Sequence, residues 1–195
     1  MRPLILASTS RYRAALLARL GVPFDVDAPG VDESPLAGET AGGLCVRLAE
    51  AKARAVAARH PTALVLGSDQ LADCEGRHVG KPGTLERARE QLRFLSGRTV
   101  VFHTGVALVD ATTSVARAER VDVTSTLRRL SDAEIDDYLD REAPFDCAGS
   151  VKSEALGIAL FERIENDDPT ALVGLPLIAT CRLLRAAGVD VLGRR

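Results

Sequence analysis

Residues 63–70, Ala-Leu-Val-Leu-Gly-Ser-Asp-Gln, constrain this chain more than any other stretch. The apolar run Ala63 to Leu66 reads as a strand buried on both faces, as in a parallel sheet covered by helices. On this reading the strand ends at Gly67 and delivers Ser68, Asp69 and Gln70 to its carboxyl edge, where open α/β sheets bind ligands. A buried strand that stops on a carboxylate either places that group on the floor of a site or opens a loop with a solvated charge. The stretch alone leaves Asp69 open between the two.

Composition narrows the class. At 195 residues, 46% hydrophobic and 27% charged, the chain suits one soluble domain spanning residues 1–195, without repeats or linkers. A net charge of −2 exerts no pull toward nucleic acid or an anionic membrane. With no Trp, two Tyr and five Phe, a base-stacking nucleic-acid surface is not expected. The four cysteines, Cys45, Cys74, Cys147 and Cys181, show no CxxC pair or zinc spacing and read as reduced thiols. The apolar run Leu4 to Ala7 is too short for a signal peptide, and nothing approaches the roughly 18 apolar residues of a membrane span. The expectation is a cytoplasmic protein with no nucleic-acid or membrane partner.

In chain order, Leu4 to Ala7 is a second buried strand, followed by Ser8-Thr9-Ser10 and a helix over Arg11 to Leu20 that stops at Gly21. Ser10 or Ser8 can cap it. Arg11 and Arg13 stand in its first turn, against the helix dipole, and Arg13 falls between Leu16, Leu17 and Leu20 on the apolar face. Hydroxyls, free N–H groups and guanidinium forks converge there as in a phosphate-binding corner; the alternative is arginines that snorkel to water. Phe24 to Asp27 reads as a strand, and the loop after it carries Asp32 and Glu33, which either hold a cation through water or are simply solvated.

A second helix, Leu44 to Arg59, shows one apolar stripe of Leu44, Cys45, Leu48, Ala49, Ala51, Ala55 and Val56, with Arg47, Glu50 and Arg54 opposite. Lys52 lies within that stripe, where it either snorkels out or reaches a buried anion. Lys81 follows Gly80, but only three residues separate Gly76 from Gly80, and Pro82 stands where a P-loop has Ser or Thr. Further expectations are a helix from Thr84 to Leu95, a hairpin of Thr99 to Leu108 and Ser114 to Thr124, and a capping box at Ser131–Glu134 opening a helix to about Asp140. A small, polar loop at 147–157, a strand from Ile158 to Ile164 and a helix from Leu177 to Ala187 complete the chain. The class is α/β.

Arg13, Lys52 and Lys81, the hydroxyls of Ser8 and Ser10, and the carboxylates of Glu33 and Asp69 are the parts of a phosphoanhydride hydrolase: cations for a polyphosphate, carboxylates for a metal and a water. There is no GxSxG, HExxH or GxGxxG motif, and His60, His78 and His103 form no triad or metal pattern.

Six blocks carry a family resemblance: Ser8-x-Ser10-x-x-Arg13-x-x-Leu16-Leu17, Val31-Asp32-Glu33, Arg47-Leu48-Ala49-x-x-Lys52-Ala53, Gly67-Ser68-Asp69-Gln70, Gly80-Lys81-Pro82 and Val173-Gly174-Leu175-Pro176-Leu177. In this order the chain resembles the Maf family of nucleoside triphosphate pyrophosphatases, hydrolases of phosphorus-containing anhydrides. The resemblance implies a Maf/ITPase-like fold, a mixed central β-sheet flanked by helices with a deep cleft between two lobes. It also implies cytoplasmic location, a divalent metal cation (Mg²⁺, Mn²⁺ or Co²⁺), a nucleoside triphosphate substrate and a homodimer. Carried over, Asp69 is the proton acceptor for a water that attacks the α-phosphate. Arg13, Lys52 and Lys81, with Ser8 and Ser10, hold phosphates, and Glu33 and Asp69 hold the metal.

Within the family, Ser68-Asp69-Gln70 and the segment Cys147 to Glu154 are similar to the subgroup that acts on 7-methyl-GTP. Its specificity positions match Gln70 and Glu154, and Tyr12 stands where the subgroup has Trp, with Arg11 in place of Pro. The implied reaction gives 7-methyl-GMP and pyrophosphate. Two alternatives stay open: a dTTP/UTP pyrophosphatase, and a non-catalytic nucleotide-binding regulator of septum formation.

Overall fold

The computed structural model describes residues 2–192. Its elements are β1 (Leu4–Ala7), α1 (Arg11–Ala18), β2 (Asp25–Asp27), α2 (Ala41–Ala57), β3 (Leu64–Cys74), β4 (Arg77–Val79), α3 (Leu85–Leu95), β5 (Thr99–Asp110), β6 (Val115–Leu127), α4 (Asp132–Glu142), β7 (Phe161–Glu165) and α5 (Leu177–Ala186). Seven strands form one sheet in the order β2-β1-β3-β5-β6-β7, with β4 paired to β3. β1 runs parallel to β2 and β3, whereas β4 is antiparallel to β3 and β7 to β6. The expected mixed sheet with flanking helices is what the chain builds. No helix among the described residues is long and apolar enough to cross a membrane.

The chain divides into two compact units. One comprises residues up to 69, 104–121 and from 168; the other comprises 70–103 and 122–167. In the first, alternation along β1 and β3 sorts the core. Leu4, Leu6, Leu64 and Leu66 pack with Leu16 and Leu17 of α1 and Ala179, Leu183 and Leu184 of α5. Ile5, Ala7 and Val65 face the other way, onto Ala53 and Val56 of α2. In the second, Ala88 and Leu92 of α3 pack against Ile135, Tyr138 and Leu139 of α4. The Ser131–Glu134 capping box opens α4 as read.

The largest departures from the sequence reading are the end of β3, the start of α2, the start of β7 and one unforeseen strand. β3 does not end at Gly67. Its parallel ladder with β1 does, at the rung Ala7↔Gly67, and the strand runs on to Cys74. Ala72–Cys74 then pair with β4, an unforeseen strand, through Glu75 and Gly76, both left-handed with φ of 55° and 78°. Such a pair suits the twist of a two-residue hairpin. α2 begins three residues before Leu44, capped by the Thr40 hydroxyl, which accepts the Gly43 N–H; Gly42 and Gly43 conceal that turn from a pattern reading. Residues 158–160 close a 3₁₀ turn (Leu156–Leu160) that exposes Ile158, and β7 starts at Phe161.

Candidate functional site

α2 lies on the β3 face that carries Val65, Gly67 and Asp69. A Cβ at Gly67 would sit 2.1 Å from the Ala49 carbonyl oxygen and 2.9 Å from the Ala53 nitrogen, so only glycine admits the helix this close. Lys52 of that helix turn is buried, and its ammonium donates to Asp69 Oδ1 at 2.6 Å. The same Nζ meets Glu33 Oε1 at 2.6 Å. Lys52 therefore reaches an anion rather than water, and Asp69 is a buried, paired carboxylate just past the last parallel rung, not a loop charge.

Glu33 comes from an exposed loop that Arg47 fastens. Arg47 grips Glu39 with Nε at 2.7 Å and Nη2 at 2.8 Å, and Nη2 also donates to the Ser34 carbonyl at 3.0 Å. The guanidinium holds Glu39 down to about 2, helped by the Leu36 N–H. Asp32 turns into its own loop and accepts the Ser34 N–H at 2.9 Å; the Ser34 hydroxyl, and then that N–H, keep its carboxyl below the usual range. Of the adjacent acids, only Glu33 reaches the lysine. Sequence periodicity places Arg47 on the polar side of α2; Glu39, eight residues earlier, gives no helical-face signal because it precedes the helix.

Arg13 donates Nε to the Gly174 carbonyl at 2.9 Å, and its Nη groups bond nothing among the described residues. Burial pulls its pKa below the ordinary arginine value, opposed by the charges of Asp69 and Glu33. Ser68 sends its buried hydroxyl within 3.0 Å of the same carbonyl and 2.8 Å of the Gly105 carbonyl. Ser8 Oγ accepts the Ser10 N–H at 3.1 Å, and Ser10 caps α1 by accepting the Arg13 N–H at 3.4 Å. Both hydroxyls act as acceptors within the turn and retain a proton to donate. Arg11 stacks over the Tyr12 ring at 4.8 Å and donates to its hydroxyl at 2.7 Å.

Sequence reasoning missed what fixes the Gly174 carbonyl. Pro176 offers α5 no side-chain cap, and Asp168 supplies one from a distance. Its Oδ2 accepts the Ile178 N–H at 2.7 Å, and its Oδ1 accepts the Thr170 hydroxyl at 2.6 Å, while Thr170 Oγ1 accepts the Leu177 N–H at 2.7 Å. A carboxylate at a helix N-terminus is well placed for the dipole. An Asp followed two residues on by Thr, just ahead of Gly-x-Pro, was the available signal.

The structure thus brings Glu33, Lys52 and Asp69 into one cluster, with Arg13 within its electrostatic reach. Gln70, Lys81 and Glu154 belong to the second unit, on three separate segments. Gln70 follows Asp69 in β3, half-buried, and the pleat turns it to the opposite face. Lys81 and Glu154 are exposed, and neither charged group bonds a partner among the described residues. His60, His78 and His103 each pair with an aspartate, Asp27, Asp73 and Asp122 respectively.

Glu33 and Asp69 each commit one oxygen to Lys52, and Glu33 Oε2 and Asp69 Oδ2 bond nothing among the described residues. Two such carboxylates fit a hard cation of the Mg²⁺ kind, which takes one or two carboxylates and completes its shell with water and phosphate oxygens. No cluster of three or more His, Cys, Asp or Glu suited to a metal occurs among the described residues. Among the described residues the protein supplies two carboxylates here, and the remaining ligands would be water and substrate.

Fold and cluster together define a class: an α/β protein whose parallel ladder ends on two carboxylates bridged by one buried ammonium. The chain belongs to the Maf family, whose model, described as Maf-like protein, matches residues 3–187. A protein of Albidiferax ferrireducens named 7-methyl-GTP pyrophosphatase is 58% identical, over 98% of this chain and 96% of its own. One of the same name from Polaromonas sp. is 58% identical, over 100% of this chain and 89% of its own. A third, from Cupriavidus metallidurans, is 52% identical over 97% and 96%. Among solved structures, a HAM1 protein from Coxiella burnetii overlaps 67% of this chain and 75% of its own at 16% identity and a TM-score of 0.44, too loosely to bear on the assignment.

Proposed function

We propose that this protein hydrolyses 7-methyl-GTP to 7-methyl-GMP and pyrophosphate. The observation that carries the reading is the buried Lys52–Asp69 pair with Glu33 on the same ammonium; the names borne by relatives at 52–58% identity support the substrate. Asp69 accepts a proton from the water that attacks the α-phosphorus. The new P–O bond forms as the α–β bridging P–O bond breaks, and pyrophosphate leaves with that electron pair. Lys52 orients Asp69 and, with Arg13 and Lys81, offsets the charge of the triphosphate, while Ser8 and Ser10 donate their hydroxyl protons to phosphate oxygens. The free Nη groups of Arg13 present a fork that matches two phosphate oxygens.

Glu33 and Asp69 would hold a divalent cation, which when bound acidifies a water and neutralises phosphate charge. The methylated guanine carries a positive charge, which suits the carboxylate of Glu154, the amide of Gln70 and the ring of Tyr12. We read residues 1–195 as one catalytic domain, with β3, β5 and β6 shared by both units, working in the cytoplasm on a small-molecule nucleotide, as a homodimer and without nucleic-acid or membrane partners. The test is a panel of 7-methyl-GTP, GTP, dTTP and UTP incubated with purified protein and Mg²⁺, Mn²⁺ or Co²⁺. Pyrophosphate release greatest from 7-methyl-GTP is expected. Faster release from dTTP or UTP would overturn the substrate and leave the reaction standing.

A further inference from the structure

The second unit carries Lys81 and Glu154 on two loops, and one chain of hydrogen bonds joins them. Lys81 and Pro82 are bracketed by two backbone bonds: the Gly149 N–H donates to the Gly80 carbonyl at 3.2 Å, and the Gly83 N–H to the Phe145 carbonyl at 3.0 Å. Gln91 of α3 completes the bracket. Its Nε2 donates to that same Gly80 carbonyl at 3.1 Å, and its Oε1 accepts the Ser150 hydroxyl at 2.6 Å. A carbonyl can only accept, so the amide has one orientation here.

From Ser150 the chain continues to α4. The Tyr138 hydroxyl donates to the Ser150 carbonyl at 3.2 Å and accepts the Lys152 N–H at 3.1 Å. Glu142 then spans the turn that bears Glu154, taking Lys152 Nζ at 2.7 Å on one oxygen and the Leu156 N–H at 2.7 Å on the other. Lys152 holds the Glu142 carboxyl below its ordinary range.

Ser150 is the unusual member. It is fully buried with φ of 59°, directly after Gly149 at 66°. A side chain in that left-handed region is strained relative to glycine. What serine adds there is a hydroxyl, and the hydroxyl's partner is Gln91.

We infer that Gln91 and Ser150 are positioning residues that lock the Lys81 loop to the Glu154 loop, so that the grip on the triphosphate and the choice of base are set together. This rests on the reading of Lys81 as a phosphate contact and Glu154 as a reader of the base. A base that misfits at Glu154 displaces residues 150–154, and through Ser150 and Gln91 that displacement reaches Gly80 and Lys81. The Ser150 hydroxyl and both ends of the Gln91 amide are committed to this link, so both residues act through Lys81 and Glu154.

Ser150→Gly and Gln91→Ala test the link, through kcat and KM on 7-methyl-GTP and GTP with Mg²⁺, alongside thermal melting. Ser150→Gly relieves the backbone, so it is expected to melt at or above the wild-type temperature. Its kcat/KM preference for 7-methyl-GTP is nonetheless expected to fall about tenfold, mainly through KM. Gln91→Ala should lose the same preference, and the double variant no more than either alone, since both cut one link. A purely structural role would lower melting and spare the preference. A wild type that prefers 7-methyl-GTP, with both variants keeping that preference within twofold, overturns the inference alone. If Gln91→Ala does not fold, Ser150→Gly decides by itself. A wild type with no such preference overturns the reading beneath it and the inference with it.

Discussion

Lys52 Nζ stands 2.6 Å from Asp69 Oδ1, both groups buried, and the same ammonium reaches Glu33. The pair links α2 to the end of the parallel ladder, and Lys52 is the direct ionic partner of Asp69 while Glu33 shares the ammonium. Breaking such a pair from one side leaves a buried ion without its partner.

Lys52→Met keeps most of the length of the side chain and removes the charge. Denaturant unfolding is expected to show a loss of about 3 kcal/mol, the low end for a broken buried pair because Asp69 retains some contact with water. Lys52→Met combined with Asp69→Asn should cost less than the sum of the single changes. Strict additivity would mean that the two do not interact.

Gly67→Ala places a methyl 2.1 Å from the Ala49 carbonyl oxygen, and a helix backbone cannot yield as a side chain would. The expected outcome is a loss of about 1–3 kcal/mol, together with reduced turnover because α2 carries Lys52 away from Asp69. Wild-type stability and turnover would show that the approach of α2 to β3 is looser than described.

The sheet, α1, α2 and the buried strands were legible because apolar periodicity reports burial directly. Charges out of place were legible too: Arg13 and Lys52 on apolar helix faces led straight to the cluster the structure contains. What the sequence concealed were partners distant along the chain. Glu39 meets Arg47 across a loop, Asp168 caps α5 from ten residues ahead of Ile178, and Gln91 meets Ser150 from another helix. Hydrogen bonds of that kind leave no period to read. The end of β3 was misplaced because the ladder's end and the strand's end differ when a hairpin partner takes over.

Glu39 gives an acid-range signature. Arg47 depresses its pKa from 4.5 to about 2, so its contribution is complete above pH 4.5 and is lost as pH falls toward 2. In Glu39→Gln, unfolding free energy plotted against pH should slope less steeply between those limits. An unchanged slope would show that the Arg47–Glu39 contact does not persist in solution.

Asp168→Ala removes the distant cap of α5 and frees the turn whose Gly174 carbonyl receives Arg13. Loss of a helix cap predicts about 1–2 kcal/mol in unfolding, and the release of Arg13 predicts weaker inhibition by pyrophosphate. Asp168→Asn, which keeps one acceptor oxygen, should fall between. Inhibition equal to wild type in Asp168→Ala would separate the cap from the arginine.

Asp69→Asn tests most directly whether Asp69 takes the proton from the attacking water. Turnover of 7-methyl-GTP and equilibrium binding of the same nucleotide are measured side by side, with wild type as reference. The expected result is a rate at least about 10²-fold lower with a Kd within a few-fold of wild type. A rate within a few-fold of wild type would contradict that role.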